Sequence, residues 1–291
     1  MNATGNRSVT IVEVGPRDGL QNEEGVVPAD AKVAFIEALA DAGLPVVEAT
    51  SFVSPRAIPQ LADADEVLPR VHRLPGVRYP VLVPNLRGFA RAEAAGADAV
   101  AVFTAASEAF TQANIGMTIA GSLEAFTPVL ERAGEARWWR RGYVSTAFGC
   151  PYSGDVPTQA VVEVSQALLD LGCDEISIGD TIGVAYPDDV GRVVSALLKH
   201  IPVERLALHL HDTYGRALEN VEAALGLGVR TFDASAGGTG GCPYAPGAPG
   251  NLATESLCEL LERRGFHHGV DAMAVGRAAR TVRSTFAARS G

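Results

Sequence analysis

One pattern recurs along this chain: a helical stretch ends in glycine, and a short run rich in β-branched residues follows it. The pattern is visible in DAGLPVVEA, AAGADAVAVF, LGCDEISI and LGVRTFDA. Glycine ends a helix at little steric cost, and strands that alternate with helices form the βα units of a parallel sheet. We therefore predict eight strands, at residues 9–14, 46–50, 79–83, 98–103, 142–147, 174–178, 206–211 and 229–234.

Amphipathic helical patterns separate the predicted strands. The segment 28–43 begins with Pro and ends with Gly, which is ordinary helix punctuation, and similar patterns span 157–172, 187–201 and 215–228. Eight βα units in 291 residues predict an α/β fold of the closed (β/α)8 TIM-barrel type. An open doubly wound sheet is the alternative, but no GxGxxG motif follows the first strand. We expect a single TIM-barrel catalytic domain over residues 1–291, with the barrel at about 9–265 and an additional C-terminal helix at about 270–287.

The charge and cysteine content narrow the classes of partner. The net charge is −10, from 24 Lys and Arg against 34 Asp and Glu, which argues against non-specific binding to nucleic acid or to an anionic membrane. No signal or transit pattern opens the sequence, and no apolar run reaches the length of a membrane span. The four cysteines lack CxxC spacing and fit a reduced protein. We expect a cytoplasmic protein that acts on a small molecule.

Unusual polar residues follow several predicted strands, at the end where a barrel of this kind carries its chemistry. Arg17 and Asp18 follow the first strand, Glu48 and Ser51 end the second, Ser177 and Asp180 end the sixth, and a glycine-rich loop with Cys242 and Asn251 follows the eighth. Acidic groups are costly inside a barrel unless they are paired or bind a metal. Their convergence predicts an active site at this end of the barrel.

The seventh strand, in LALHLHDTYG, carries two histidines two residues apart. Side chains at that spacing point to the same face of a strand, so His209 and His211 face the same way. Together with a carboxylate from Asp18 and an amide oxygen from Asn251, they offer nitrogen and hard oxygen donors. This set suits Mg²⁺ or Mn²⁺, with Zn²⁺ or Co²⁺ as a second choice, and such an ion acts as a Lewis acid.

Lysine usage bears on the chemistry, because a carbon–carbon cleavage can also proceed through a Schiff base. The only two lysines, Lys32 and Lys199, lie on predicted outer helices. We therefore expect metal-assisted chemistry, without PLP, a Schiff-base lysine or nicotinamide.

Six segments together resemble the 3-hydroxy-3-methylglutaryl-CoA lyase family, within the superfamily of TIM barrels that includes isopropylmalate and homocitrate synthases. They are EVGPRDGLQNE, SFVSP, GYVSTAFGCPY, GDTIGV, HLHDTYGRALENV and GGCPYAPGAPGNLATE. The resemblance extends from about residue 9 to about residue 280. The stretch around Cys242 discriminates best, because the other elements also fit the condensing synthases.

The resemblance implies specific roles for site residues. The metal ligands that it implies are Asp18, His209, His211 and Asn251. Arg17 is implied to bind the acyl group and stabilise developing negative charge, Glu48 and Asp180 to be active-site acids, and Cys242 to be a thiol that donates or relays a proton. Either Asp18 or His209 would serve as the base. Gln21, Ser51 and Ser177 are implied to contact the substrate together with Arg17.

The reaction implied by the resemblance is cleavage of 3-hydroxy-3-methylglutaryl-CoA to acetoacetate and acetyl-CoA. The additional C-terminal helix leads us to expect a homodimer. Two other enzymatic activities stay open: cleavage of a longer or branched 3-hydroxyacyl-CoA, and condensation of acetyl-CoA with a 2-oxo acid. The condensing synthases typically carry further C-terminal domains, and this chain stops soon after the barrel. A non-catalytic sensor would be expected to lack at least one of the site residues, and all are present.

Overall fold

A computed structural model of the protein describes residues 7–23, 25–241 and 250–287. Within these ranges, parallel strands form one continuous sheet in the order β2-β1-β9-β8-β7-β6-β5-β4-β3. The strands are β1 (Thr10–Glu13), β2 (Val46–Val47), β3 (Thr50–Ser51), β4 (Val81–Leu82), β5 (Ala99–Ala105), β6 (Trp139–Ser145), β7 (Glu175–Asp180), β8 (Leu206–Leu210) and β9 (Thr231–Ala234).

The sheet closes through its second predicted strand, which is interrupted between β2 and β3. The first half pairs with β1, where Val46 lies opposite Val12, and the second half pairs with β4, where Thr50 lies opposite Val81. Because the two halves are consecutive in the chain, the sheet returns onto itself. The Val47 amide also donates to the carbonyl of Arg78, 2.9 Å away, next to β4. The predicted (β/α)8 barrel is therefore confirmed. Its second strand position is occupied by two short strands, β2 and β3, so within the described ranges nine strands fill eight positions.

Helices surround the barrel and connect its strands. They are α1 (Ala29–Asp41), α2 (Ala64–Arg70), α3 (Leu86–Ala94), α4 (Glu108–Ile115), α5 (Ile119–Glu135), α6 (Thr158–Asp170), α7 (Pro187–Leu197), α8 (Ala217–Gly226), α9 (Thr254–Arg263) and α10 (Ala272–Ala287). The four helices that the sequence placed between strands correspond to α1, α6, α7 and α8. Strand 79–83 is shorter than predicted, because Pro80 has no N–H to give to the ladder.

The predicted C-terminal helix is confirmed as α10, which packs against α1 and α9. The connection before it is tied to the end of α1, where the Asp271 amide donates to the carbonyl of Ala42 at 2.8 Å. None of the helices in the described ranges is both long enough and apolar enough to cross a membrane.

The two faces of the sheet differ in chemistry. Outward-facing side chains such as Ile11, Val100 and Leu208 join the helices in one large hydrophobic core. The inward faces carry small apolar clusters, and between them lie charged side chains that are almost completely buried. In such an interior, each charged group must be paired with an opposite charge and fully hydrogen-bonded, and this requirement determines how the site is built.

Gly43 tests the contact between α1 and the connection to α10. It has φ +92°, and a Cβ there would lie against the carbonyl oxygen of Gly269, closer than van der Waals contact allows. Any alanine at this positive φ costs stability through backbone strain. We expect Gly43→Ala to lower the free energy of unfolding by about 1–3 kcal/mol beyond that cost, because its Cβ also overlaps the Gly269 oxygen. Urea denaturation followed by circular dichroism measures this difference.

Gly96→Ala is the matched control for this substitution. Gly96 also follows a helix, has φ +81° and has open space where its Cβ would lie. It therefore reports the backbone strain without the steric overlap. Equal destabilisation by both substitutions would show that the Gly43–Gly269 contact does not hold the C-terminal segment.

Candidate active site

The chain leaves β1 through a tight π-helical turn, Gly15–Gly19. In this turn the amides of Arg17, Asp18 and Gly19 all donate to the carbonyl of Val14, at 3.2, 2.7 and 3.2 Å. Single π-turns are rare and frequently occur at functional sites. This one brings Arg17 and Asp18 to the mouth of the barrel, where sequence analysis expected them.

Asp18, His209 and His211 form a cluster at this mouth. Each offers one potential ligand atom, and these atoms all lie within 4.8 Å of one another. His209 Nε2 is 4.0 Å from Asp18 Oδ2. Nδ1 of His211 is buried and has no hydrogen-bond partner in the part of the chain that the structure describes. A buried nitrogen without a partner is costly, so the cluster is chemically suited to a cation.

The protonation states of the cluster also suit a cation. Burial, reinforced by the neighbouring His209, lowers the pKa of His211 to about 3, which keeps this imidazole neutral. Burial alone would raise the pKa of Asp18, but Arg17 and then His209 outweigh it and lower that pKa to about 2. Metal ligands must be deprotonated, and both groups meet this condition near neutral pH.

Asn251 lies beside this cluster, paired with His211 in a short antiparallel bridge. Its Nδ2 donates to Asp18 Oδ2 at 2.9 Å and to the carbonyl of Thr239 at 3.2 Å. The structure thus brings all four predicted ligand residues together. Because Nδ2 faces the carboxylate, ligation by the Asn251 oxygen stays a prediction.

Arg17 is held from two sides by carboxylates. Its Nη1 lies 2.6 Å from Asp18 Oδ1, and its Nε and Nη2 lie 2.8 and 2.7 Å from Glu48 Oε2. The Tyr143 hydroxyl donates to the same Glu48 oxygen at 3.0 Å, and the Arg17 guanidinium lies 5.3 Å from the centre of the Tyr143 ring. Burial raises the pKa of Glu48 despite the charge of Arg17. Arg17 is therefore rigidly placed.

A second buried arginine, Arg141, lies deeper in the barrel. Its Nη2 donates to Asp233 Oδ1 at 2.6 Å and its Nη1 donates to the Tyr143 hydroxyl at 2.9 Å. Sequence analysis did not identify Arg141, Tyr143 or Asp233. The available signal was strand alternation: Asp233 lies opposite His209 in the β8–β9 register and therefore shares its inward face.

Three of the four predicted substrate contacts, Arg17, Gln21 and Ser177, line a cavity at the mouth of the barrel. Gln21 Nε2 lies 3.4 Å from Asp18 Oδ1, and Ser177 donates to Asp233 Oδ2 at 2.8 Å. Ser51 and Asp180 do not line it. The Ser51 hydroxyl accepts from the Val53 amide at 3.3 Å, so its contact holds the turn after β3.

Asp180 accepts hydrogen bonds from two backbone amides in the loop after β7. The Val184 and Ala185 amides each donate to one of its carboxylate oxygens at 3.0 Å. Burial raises the pKa of Asp180 to about 6. These hydrogen bonds fix the loop after β7, and a role for Asp180 as an active-site acid stays a prediction. Cys242 lies outside the described residues.

The cavity at the barrel mouth has a volume of about 530 Å³. Its floor carries Arg17 and the Asp18 cluster, and its walls include the apolar side chains of Leu82, Phe103, Phe110, Phe126 and Val144. Neither lysine lines it. Lys32 is buried in α1 with its Nζ 2.5 Å from Asp63 Oδ1, and Lys199 is exposed after α7.

The family model described as HMGL-like matches residues 8–282. The chain belongs to this family. It is 54% identical over 263 residues to "Hydroxymethylglutaryl-CoA lyase, mitochondrial" of Gallus gallus, which covers 90% of this chain and 88% of that protein. The chain is a lyase that acts on a carbon–carbon bond. The names of related proteins place some in mitochondria and others in the cytoplasm.

Solved structures agree with this assignment. The HMG-CoA lyase of Brucella melitensis superposes with a TM-score of 0.94 at 49% identity, covering 95% of this chain and 98% of that one. An HMG-CoA lyase of Acinetobacter baumannii, in complex with coenzyme A and 3-methylmalate, superposes with a TM-score of 0.92 at 40% identity and covers 99% of this chain and 93% of that one.

Tyr143→Phe tests the link between Glu48 and Arg141. Losing the hydroxyl removes one hydrogen bond from each neighbour, and we expect a loss of about 1–2 kcal/mol in unfolding free energy. Because Glu48 then holds Arg17 less firmly, lyase turnover is expected to fall by about tenfold, the rate equivalent of about 1.4 kcal/mol. Steady-state kinetics and denaturation of the same preparation measure both effects.

Tyr79→Phe is the matched control. Tyr79 is also buried, and its hydroxyl accepts from the Leu74 amide at 3.1 Å, away from the cavity. We expect similar destabilisation with unchanged turnover. If Tyr143→Phe alters turnover no more than this control, its hydroxyl serves stability alone.

Proposed function

We propose that this protein cleaves 3-hydroxy-3-methylglutaryl-CoA to acetoacetate and acetyl-CoA with the help of a divalent cation, Mg²⁺ or Mn²⁺. One observation carries the proposal: the Asp18–His209–His211 cluster lies directly beside Arg17 at the mouth of the barrel. A cation site and a fixed guanidinium are two of the features that this cleavage needs. The relatives named as HMG-CoA lyases support the choice of substrate.

The cavity suits the acyl part of such a thioester. Its aromatic and aliphatic walls favour the methyl-bearing carbon chain, while its floor presents polar groups to the hydroxyl and carbonyl oxygens. The complex of the Acinetobacter relative with coenzyme A supports an acyl-CoA ligand. Gln21 and Ser177 line the same cavity, which supports their proposed contact with the polar groups of the substrate.

Asp18, His209 and His211, with Asn251 beside them, would hold the cation. When bound, it supplies Lewis-acid polarisation of the substrate oxygens. The Asp18 carboxylate takes the proton from the tertiary hydroxyl as that oxygen becomes the carbonyl of acetoacetate, because His209 would have its free nitrogen on the cation. The bond between the hydroxyl-bearing carbon and the thioester's α-carbon breaks, and its electron pair forms the thioester enolate.

Arg17 stabilises the negative charge that develops during this step. Its guanidinium stays protonated at every relevant pH and is already fixed by Glu48, so little reorganisation accompanies the charge. The enolate carbon then takes a proton, which we assign to the Cys242 thiol, and acetyl-CoA is released. Charge and atoms balance over the cycle once the hydroxyl proton returns to the thiol.

The experiment that tests this function is a coupled assay of acetoacetate and acetyl-CoA formation from 3-hydroxy-3-methylglutaryl-CoA. We expect turnover with Mg²⁺ or Mn²⁺ and loss of turnover with a chelator. Turnover only with longer or branched 3-hydroxyacyl-CoA substrates would favour the alternative lyase. Product formation only from acetyl-CoA and a 2-oxo acid would favour a synthase, and inactivity under every metal condition would refute the proposal.

His211→Ala tests the cation site without relying on activity. Removing one imidazole from a three-residue cluster is expected to weaken Mn²⁺ binding by more than about tenfold. The metal content is measured after dialysis. The control is His200→Ala, which alters an exposed histidine shortly after α7. Undiminished Mn²⁺ in the His211 variant would remove His211 from the site.

We also propose that the protein acts as a single catalytic domain, as a homodimer and in the cytoplasm. Cys150, Cys173 and Cys258 are free and buried, which supports a reducing compartment. The groove between α1 and α10 is lined mainly by small apolar residues, which supports an interface there.

A further inference from the structure

Asp233 carries no role in the chemistry described so far, although its carboxylate is among the most completely bonded groups in the barrel. Its Oδ1 accepts from Arg141 Nη2 at 2.6 Å. Its Oδ2 accepts from the Ser177 hydroxyl at 2.8 Å and lies 3.3 Å from His209 Nδ1. The residue is 2% exposed, so water does not compete for these bonds.

We infer that Asp233 is a positioning residue that fixes the tautomer of His209 and thereby directs His209 Nε2 at the cation. The inference rests on the proposed function, because it assumes that His209 is a ligand. It assigns Asp233, which is not itself a proposed ligand, the role of orienting the proposed ligand His209.

Which nitrogen of His209 carries the proton follows from the groups around it that can donate or accept hydrogen bonds. An ionised carboxylate only accepts hydrogen bonds, so the nitrogen of His209 that faces Asp233 must carry the proton. The other nitrogen, Nε2, then has its lone pair free, and it faces Asp18 Oδ2 at 4.0 Å. A histidine whose second nitrogen donates to a carboxylate is oriented and made more basic as a ligand.

Arg141 completes the arrangement by keeping Asp233 ionised. The Arg141 side chain is fully buried, and it also donates to Glu175 Oε1 at 2.8 Å from the opposite side. Through the Tyr143 hydroxyl, the same guanidinium connects to Glu48 and hence to Arg17. One continuous chain of hydrogen bonds therefore connects Arg17, the proposed acyl-binding residue, to His209, the proposed ligand.

Asp233→Asn separates the tautomer effect from packing, because the side chain keeps its shape. Arg141 can only donate, so the amide oxygen must stay at the Oδ1 position. This places the NH₂ group opposite His209 Nδ1, which then has to accept. The proton moves to Nε2, and His209 loses its free lone pair towards the cation, as happens when a histidine's carboxylate partner is replaced by an amide in other enzymes.

The first measurement is Mn²⁺ affinity, followed by electron paramagnetic resonance of the free ion. We expect Asp233→Asn to bind Mn²⁺ about 10–100-fold more weakly than the unaltered protein. Glu175→Gln is the matched control, because it removes a carboxylate from the same arginine without touching His209. Its affinity is expected to change by less than about twofold, well below the effect of losing an orienting partner.

The second measurement uses the unaltered protein and so does not depend on the variant's folding. Long-range ¹H–¹⁵N correlation spectra of the Mg²⁺-loaded protein report which nitrogen of His209 carries the proton, with His209→Ala assigning the signal. We expect the proton on Nδ1; a proton on Nε2 overturns the inference.

The outcomes separate this inference from the proposed function. If the unaltered protein does not bind Mn²⁺, the proposed function fails. If it binds Mn²⁺ and Asp233→Asn binds equally well, only the role of Asp233 fails. Equal weakening by Asp233→Asn and Glu175→Gln also overturns it, because the effect then comes from Arg141 and not from the tautomer of His209.

Discussion

The architecture of this site depends on placing two guanidinium groups inside a closed barrel. Arg141 is fully buried and Arg17 is 6% exposed. An unpaired charge at such depth is strongly destabilising, so each must be surrounded by acceptors with good geometry. The barrel wall supplies these acceptors from several directions: Glu48, Asp233 and Glu175 all point inward, and the Tyr143 hydroxyl connects Arg141 to Glu48, the partner of Arg17.

This requirement also determines the charge that the site presents to a ligand. Four carboxylates, those of Asp18, Glu48, Glu175 and Asp233, surround the two guanidiniums, so acidic groups outnumber basic ones around the site. The cluster of Asp18 with two histidines lies on the open side of this arrangement, where His211 Nδ1 is left without a partner among the described residues. Asp18 thus has two functions in this arrangement: it holds Arg17 in place, and it offers an oxygen to the cluster that suits a cation.

The sequence predicted the barrel because its strongest signal, helix followed by glycine and strand, repeats through the whole chain. It also predicted the Asp18, His209 and His211 cluster, because strand ends converge in a barrel and the two histidines share a face. It did not identify Arg141 or Asp233, since an inward charge is recognisable only when the register of neighbouring strands is known. The contacts of Asp180 with two loop amides could not be predicted either, because no spacing in the sequence reports where these amides point.

The interrupted strand position of the barrel, β2 and β3, has a consequence for the site. Each piece contributes only two residues to the sheet, and Glu48 lies between them. The amide of Glu48 donates to the carbonyl of Glu13 at 2.8 Å, whereas the amides of Val47 and Ala49 donate to carbonyls next to β4 at 2.9 Å. The backbone therefore changes its partner strand at the residue whose carboxylate is the counter-charge of Arg17. Closure of the barrel and the electrostatics of the site are thus determined at one residue.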